Sequence, residues 1–125
     1  MEINRRPVDV DQLFQRLGAS GAVVQGLIEA FAQQLPQDVA NIEEALKQSE
    51  TKNVKSLAHA LKGSAAMISA GPLNRVAAEL EGVAAEGNLQ SVDEQLEKLT
   101  AEMARFLEWS EQSMPEEIGS RASNN

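Results

Sequence analysis

The 125-residue sequence contains no cysteine. Disulfides, thiolate metal sites and cysteine nucleophiles are therefore excluded. It contains no tyrosine, and aromatics make up 3% of the chain, too few for a surface that stacks RNA bases. It has one histidine, His59, so a zinc site rich in histidine cannot form within one chain, and a Ser-His-Asp triad would have a single possible base. Positive charge is also scarce, with 11 basic residues against 19 acidic and a net charge of −8. Overall attraction to nucleic acid or to anionic lipid is not expected, although a local basic patch stays open. No apolar run approaches the ~20 residues needed to span a bilayer. The opening MEINRRPVDVDQ lacks the apolar core of a secretory signal. A soluble, cytoplasmic protein with no nucleic-acid or membrane partner is expected. There is no clustered carboxylate site, P-loop or glycine-rich nucleotide loop, so no cofactor, ATP binding or independent turnover is expected either.

What is present is helical periodicity, with no alternating strand pattern of useful length. Asp9 is placed to cap a short first helix, with Gln12 three residues on; Val10, Leu13, Phe14 and Leu17 form its stripe and Gly18 ends it. Ser20 can cap a second helix, in which Val24, Leu27, Ile28, Phe31 and Leu35 recur at threes and fours and Val39, Ile42 and Leu46 continue the phase beyond Pro36. Because that phase continues, and the ring falls against the small Ala32, Pro36 is expected to kink the helix and not to split it. After a polar break around Gln48 to Lys52, a third helix is expected from about Thr51 to about Ala70, ended by Gly71-Pro72. Pro72 then suits the first turn of a fourth helix, whose face is Leu73, Val76, Ala77, Leu80, Val83 and Ala84. Gly87-Asn88 closes it, and Ser91 with Glu94 reads as the capping box of a fifth. That helix carries Val92, Leu96, Leu99, Met103, Phe106 and either Trp109 or Ser110.

Beyond Met114-Pro115 the chain turns polar and aperiodic. We expect a helical domain over residues 1–113 and a disordered tail over 114–125. Four long amphipathic helices with short connections pack most simply as an antiparallel up-down four-helix bundle, with the short N-terminal helix capping one end. The fold class is thus all-α, and a monomer is expected. No repeat of solenoid period is present.

The third helix is the informative one. On a helical wheel with Val54 at zero, Val54, Leu57, Ala58, Leu61, Ala65 and Ile68 lie within roughly 60° of one line, the core face. His59 falls at roughly 140°, away from the core. Its neighbours at three and four residues are Lys55 and Lys62 on one side and Ser56 and Gly63 on the other. Ala66 and Ala70 continue the row, and Met67 lies near it at roughly 220°. An exposed face normally carries long charged side chains. This one carries Gly and Ala beside the histidine, and Gly63 in mid-helix costs about 1 kcal/mol relative to Ala. By spacing alone, a solvated surface histidine beside solvated lysines is an equal reading.

The segment Ala58-His59-Ala60-Leu61-Lys62-Gly63-Ser64-Ala65 resembles the signature of histidine-containing phosphotransfer (HPt) domains. Leu73 matches a later leucine of that pattern and Leu80-Glu81 its Leu-Glu pair, and the similarity in helix spacing covers about residues 20 to 112. The sequence departs from it before the fourth helix, where Ser69-Ala70 stands in place of the usual Gly-Ala. The resemblance implies a four-helix bundle whose His59 accepts a phosphoryl group from the aspartyl phosphate of a response-regulator receiver domain and passes it to a second receiver. It implies that Lys62 helps neutralise the phosphoryl group and that Gly63 leaves the receiver room to approach. Lys55, Ser56, Gly63, Ala66, Met67 and Ala70 are then the expected docking residues. The expected partners are receivers, a hybrid sensor kinase, or both.

The chemistry of the residues agrees. With an ordinary pKa near 6.5, a histidine is largely neutral and nucleophilic at pH 7. Lys55 and Lys62 can offset phosphoryl charge. Phosphoryl transfer needs in-line approach and electrostatic stabilisation above all. Two alternatives stand beside this reading. One is a non-catalytic adaptor that binds a receiver or a helix on the Gly63-Ala66-Ala70 patch. The other is a phosphorylation-site domain cut from a larger hybrid sensor or chemotaxis-type kinase. Glu43-Glu44 and Glu116-Glu117 read as solvated charge, and Arg5-Arg6 is too short for a nucleic-acid patch. Leu13, Phe14 and Leu17 read as core more than as docking surface.

Overall fold

A computed structural model describes residues 6–18 and 20–123 of the chain, the last two of these by backbone alone. Arg5 and the final two residues of the expected tail lie outside that range. All regular structure among the described residues is helical: α1 (Val10–Leu17), α2 (Gly21–Lys47), α3 (Thr51–Met67), α4 (Gly71–Ala85), α5 (Leu89–Gln112) and α6 (Met114–Ser123). Helices α2 to α5 form a ring in which α3 packs most extensively on α4, α4 on α5, and α2 on both α3 and α5. This is the expected four-helix bundle, with α1 set against α2.

The first caps are those the sequence predicts. The Asp9 carboxylate accepts from the Gln12 backbone N–H, and the Ser20 hydroxyl accepts from that of Val23. Gly18 ends α1 in the left-handed region at φ 55°. Pro36 lies within α2, which runs unbroken through it.

The three reversals inside the bundle share one design. Each is three residues long (48–50, 68–70 and 86–88), and its middle residue is left-handed: Ser49 at φ 57°, Ser69 at φ 58° and Gly87 at φ 74°. In each the middle residue's N–H and the next one bond back across the last helical turn. The pairs are Ser49 to Leu46 with Glu50 to Ala45, Ser69 to Ala66 with Ala70 to Ala65, and Gly87 to Ala84 with Asn88 to Val83. This double bond satisfies terminal carbonyls and turns the chain at once. α3 therefore stops at Met67, short of the expected Ala70. Asn88, not Ser91, caps α5, its side chain accepting from the Ser91 N–H.

The core runs through all six helices. Phe106 is fully buried, with Phe31 edge-on at 5.3 Å and Trp109 at 6.0 Å between ring centres. Aromatic pairs of this kind add ~1 kcal/mol beyond the area they bury. Trp109 and Ser110 are both buried, so the end of α5 turns both inward.

The expected disordered tail is instead helix α6, lying against α2 and α5. Met114 and Ile118, one turn apart, are buried. Glu117 accepts hydrogen bonds from the Trp109 indole N–H and from Arg6. Arg121 pairs with Asp11 and lies over the Phe14 ring at 5.2 Å. Two apolar residues are too short a stripe to read as periodic, and the polar partners come from the far end of the chain.

Candidate functional site

The phase of α3 is the one the wheel gives. Val54, Ala58, Leu61, Ala65 and Ile68 are buried and Leu57 is half-buried. His59 faces outward with its side chain 67% exposed. No carboxylate on α3 reaches it. Its partner comes from α4, where Ala77, Leu80 and Ala84 are buried and the adjacent Glu81 emerges at the edge of the helix pair.

Glu81 divides its two oxygens. Oε2 lies 2.8 Å from His59 Nδ1, and Oε1 lies 2.7 Å from Lys62 Nζ. The Lys62 hydrogen bond, and after it that of His59, hold the Glu81 carboxyl below its ordinary value of 4.5. Glu81 is therefore ionised at neutral pH and can only accept hydrogen bonds. For the 2.8 Å contact to be a hydrogen bond, Nδ1 must carry the proton. In the neutral ring this assigns the lone pair to Nε2. The arrangement thus presents an accessible imidazole with a fixed tautomer, on a rigid helix.

The surroundings of His59 are open. A Cβ added at Gly63 would meet no heavy atom within 4 Å apart from the adjoining residues and backbone of its own helix. Lys55, Ser56 and Ala66 are exposed, and Met67 is 70% exposed. Lys62 is beside the imidazole as expected, but its ammonium is occupied by Glu81. Ala70 does not belong to this surface. It follows the left-handed Ser69, which turns the chain inward, and it is fully buried.

Three contributors were not singled out by the sequence. Glu81 was visible as half of a Leu-Glu pair, but its reach to His59 across 22 residues is a tertiary fact. Asn74 of α4 donates to the Lys62 carbonyl at 2.9 Å. Arg16 of α1 donates to the Ala66 carbonyl at 2.9 Å and to the Ser69 hydroxyl at 3.1 Å, and the Asp9 N–H bonds the Ser69 carbonyl at 2.9 Å. These bonds seat α1 on the end of the histidine helix. Leu17, read as core, is 40% exposed there, while Leu13 is buried and Phe14 half-buried. Leu27, read as core in α2, is 43% exposed, one turn from the exposed Val23.

A helical bundle that presents one accessible, tautomer-fixed histidine on a face kept clear of bulk defines a class, and the comparisons agree. Residues 26–109 match the Hpt domain family, and the chain belongs to that family. Members of the family are phosphocarrier modules of two-component phosphorelays. Among solved structures, the chain is similar to the HPT domain from an Hpt sensor hybrid histidine kinase of Shewanella. The TM-score is 0.74 at 16% identity, over 88% of this chain and 95% of that one. At that identity the likeness is one of fold. No match was found among curated proteins. No described helix is long and apolar enough to cross a membrane.

Proposed function

We propose that this chain is a phosphorelay intermediate in which His59 is the phosphoryl acceptor. The observation that carries the proposal is the Glu81–His59 bond, which leaves Nε2 free on an exposed ring. Nε2 attacks the phosphorus of an aspartyl phosphate on a receiver domain. The N–P bond forms, the P–O bond to the aspartate breaks, and that carboxylate leaves. No proton has to leave Nε2 first. The ring becomes cationic, and its Nδ1–H faces the Glu81 carboxylate, which stabilises the new charge. Transfer to a second receiver is the reverse sequence. The partner receiver supplies the metal and the catalytic groups, so the chain is a carrier without turnover of its own. Lys62, which the resemblance assigned to neutralising the phosphoryl group, pairs with Glu81 and acts through that carboxylate. The partner, a stand-alone receiver or that of a hybrid sensor kinase, would dock over Lys55, Ser56, Gly63, Ala66 and Met67.

The test is incubation with a phosphorylated receiver and Mg²⁺, followed by analysis of the label on this chain. The expected label is acid-labile and base-stable, as a phosphoramidate is, and His59→Gln abolishes it without unfolding the bundle. Label that persists in His59→Gln, or that base removes, would falsify the assignment.

A further inference from the structure

The lysine that stands nearest the imidazole in sequence is not the one free to meet a phosphate. Lys62 is held on Glu81 at 2.7 Å. Two other lysines share the histidine face. Lys55 lies one turn and Lys52 two turns before His59. Both are exposed, and neither has a hydrogen bond or ion pair among the described residues. With Ser56, His59 and Glu81 they line a shallow hollow beside the ring. The charge is concentrated: α3 holds three lysines and no Asp or Glu, on a chain of net −8. Lys52 occupies the first turn of α3, where a positive side chain opposes the helix dipole. Helix stability therefore does not account for its placement, and no pairing within the described residues does.

We infer that this hollow is a phosphoryl subsite, in which Lys52, Lys55 and the Ser56 hydroxyl receive the phosphoryl group carried on His59. The inference rests on His59 as the acceptor and divides the work of the lysines. Lys52 and Lys55 face the phosphoryl oxygens. Lys62 is a positioning residue that acts through Glu81 on the tautomer of His59. Among the described residues, the charged groups that line the hollow or pair beside the ring are these three lysines and Glu81 from α4.

The test needs no receiver. Phosphoramidate is the donor: His59 Nε2 attacks its phosphorus, the N–P bond of the donor breaks, and the protonated amine leaves as ammonia. The phosphorylated protein is then titrated by ³¹P NMR. Lysines near the oxygens favour the dianion, so removing them raises the phosphoryl pKa. Lys52→Gln/Lys55→Gln is expected to raise it by roughly 0.3 to 0.7 pH unit, the size set by exposed charge pairs. Lys62→Gln is expected to leave it in place and to weaken the Nδ1–H signal of the unphosphorylated ring. Identical titrations of wild type and the double variant would overturn the inference, as would a shift produced by Lys62→Gln alone. A His59 that phosphoramidate leaves unlabelled would overturn it too, since a subsite beside an open imidazole must serve a small donor. Transfer from a receiver is scored separately. A shift without relay leaves the subsite and removes the relay, and relay without a shift does the reverse.

Discussion

Replacing Ile118 by alanine separates a docked α6 from a solvated tail. Ile118 is 3% exposed and belongs to the same core as Phe106 and Leu35. Truncating a buried isoleucine to alanine costs about 2–5 kcal/mol, depending on how far the site collapses. Ile118 is held on a ten-residue helix at the edge of the bundle. Such a site relaxes more than a central one, so about 2–3 kcal/mol is expected. The cost also has a ceiling. It cannot exceed the free energy with which α6 docks, because beyond that the helix detaches and the rest of the bundle stays folded. For a chain of this size, 2–3 kcal/mol lowers Tm by about 6–15 °C.

The assay has a built-in reporter. Trp109 is the only tryptophan, and its indole N–H is bonded to Glu117 of α6. Denaturant unfolding is followed by circular dichroism and by tryptophan emission on the same samples. If Ile118→Ala weakens docking, emission moves at lower denaturant than the helical signal. If the whole bundle is destabilised, the two move together to a lower midpoint. Ser120→Ala, at an exposed position of the same helix, is the control and is expected to be neutral or slightly stabilising. An Ile118→Ala protein with unchanged midpoint and unchanged emission would refute the docking of α6.

Gly63→Gln is expected to keep or raise helix stability, because nothing crowds the position and Gly is a poor helix former. It should nevertheless slow acceptance from a phosphorylated receiver, and a wild-type rate would count against Gly63 as the clearance for docking. Glu81→Gln tests linkage. The Glu81 pKa is depressed in the fold, so its stabilisation is present above the ordinary value of 4.5 and is lost as pH falls through the lowered one. The stability gap between wild type and Glu81→Gln, read from midpoints across pH, should be widest near neutrality and close in acid; a gap independent of pH would contradict the ion pairs. Arg16→Ala removes two hydrogen bonds from the end of α3 while the Ala66 carbonyl keeps its Ser69 N–H, so the loss is about 1 kcal/mol or less. Hydrogen exchange should quicken in α1 and stay unchanged in α4. Ser49→Gly should stabilise by roughly 0.5–1 kcal/mol, since Ser49 is exposed and left-handed; thermal melts with no gain would argue against that backbone geometry.

Those serines also explain where the sequence was opaque. The helix faces were legible because burial imposes a period, and α3 obeys it from Val54 to Ile68. Helix ends are local chemistry, and here they are ambiguous. Reading the end of α3 from glycine puts it at Gly71, because glycine is the usual left-handed residue. Ser69 takes that conformation instead, fixed by its neighbours. Its hydroxyl accepts from Arg16, its carbonyl accepts from the Asp9 N–H, and its own N–H reaches Ala66. Two of those three partners lie more than 50 residues away, which no local pattern records. Asn88 and Ser91 are both good caps three residues apart, and only the turn at Gly87 selects Asn88. The site shows the same division. His59, Lys62 and Gly63 share one helix, so spacing placed them on one face and the resemblance to HPt domains assigned their roles, whereas the reach of Glu81 to His59 required knowing that α4 returns beside α3.

The exposed face of α3 departs from the charge pairing seen on other helices of the chain. Elsewhere, exposed side chains four apart pair along their own helix, as within α2 Gln25 does with Glu29, Gln34 with Asp38 and Gln37 with Asn41. On α3 the lysines have no acid three or four residues away and the first turn carries Lys52, while Gly63 interrupts the helix interior as Gly26 and Gly82 do in α2 and α4. Each choice costs from a few tenths to about 1 kcal/mol of helix stability. The helix persists because α2 and α4 bury Val54, Ala58, Leu61 and Ala65 from two sides. Tertiary packing thus frees one surface from the demands of secondary structure. A face so freed can keep, around the only histidine, two lysines that have no partner among the described residues, together with a glycine. What those residues have in common is the space and the positive charge that an incoming phosphoryl group, delivered by a large partner, would require.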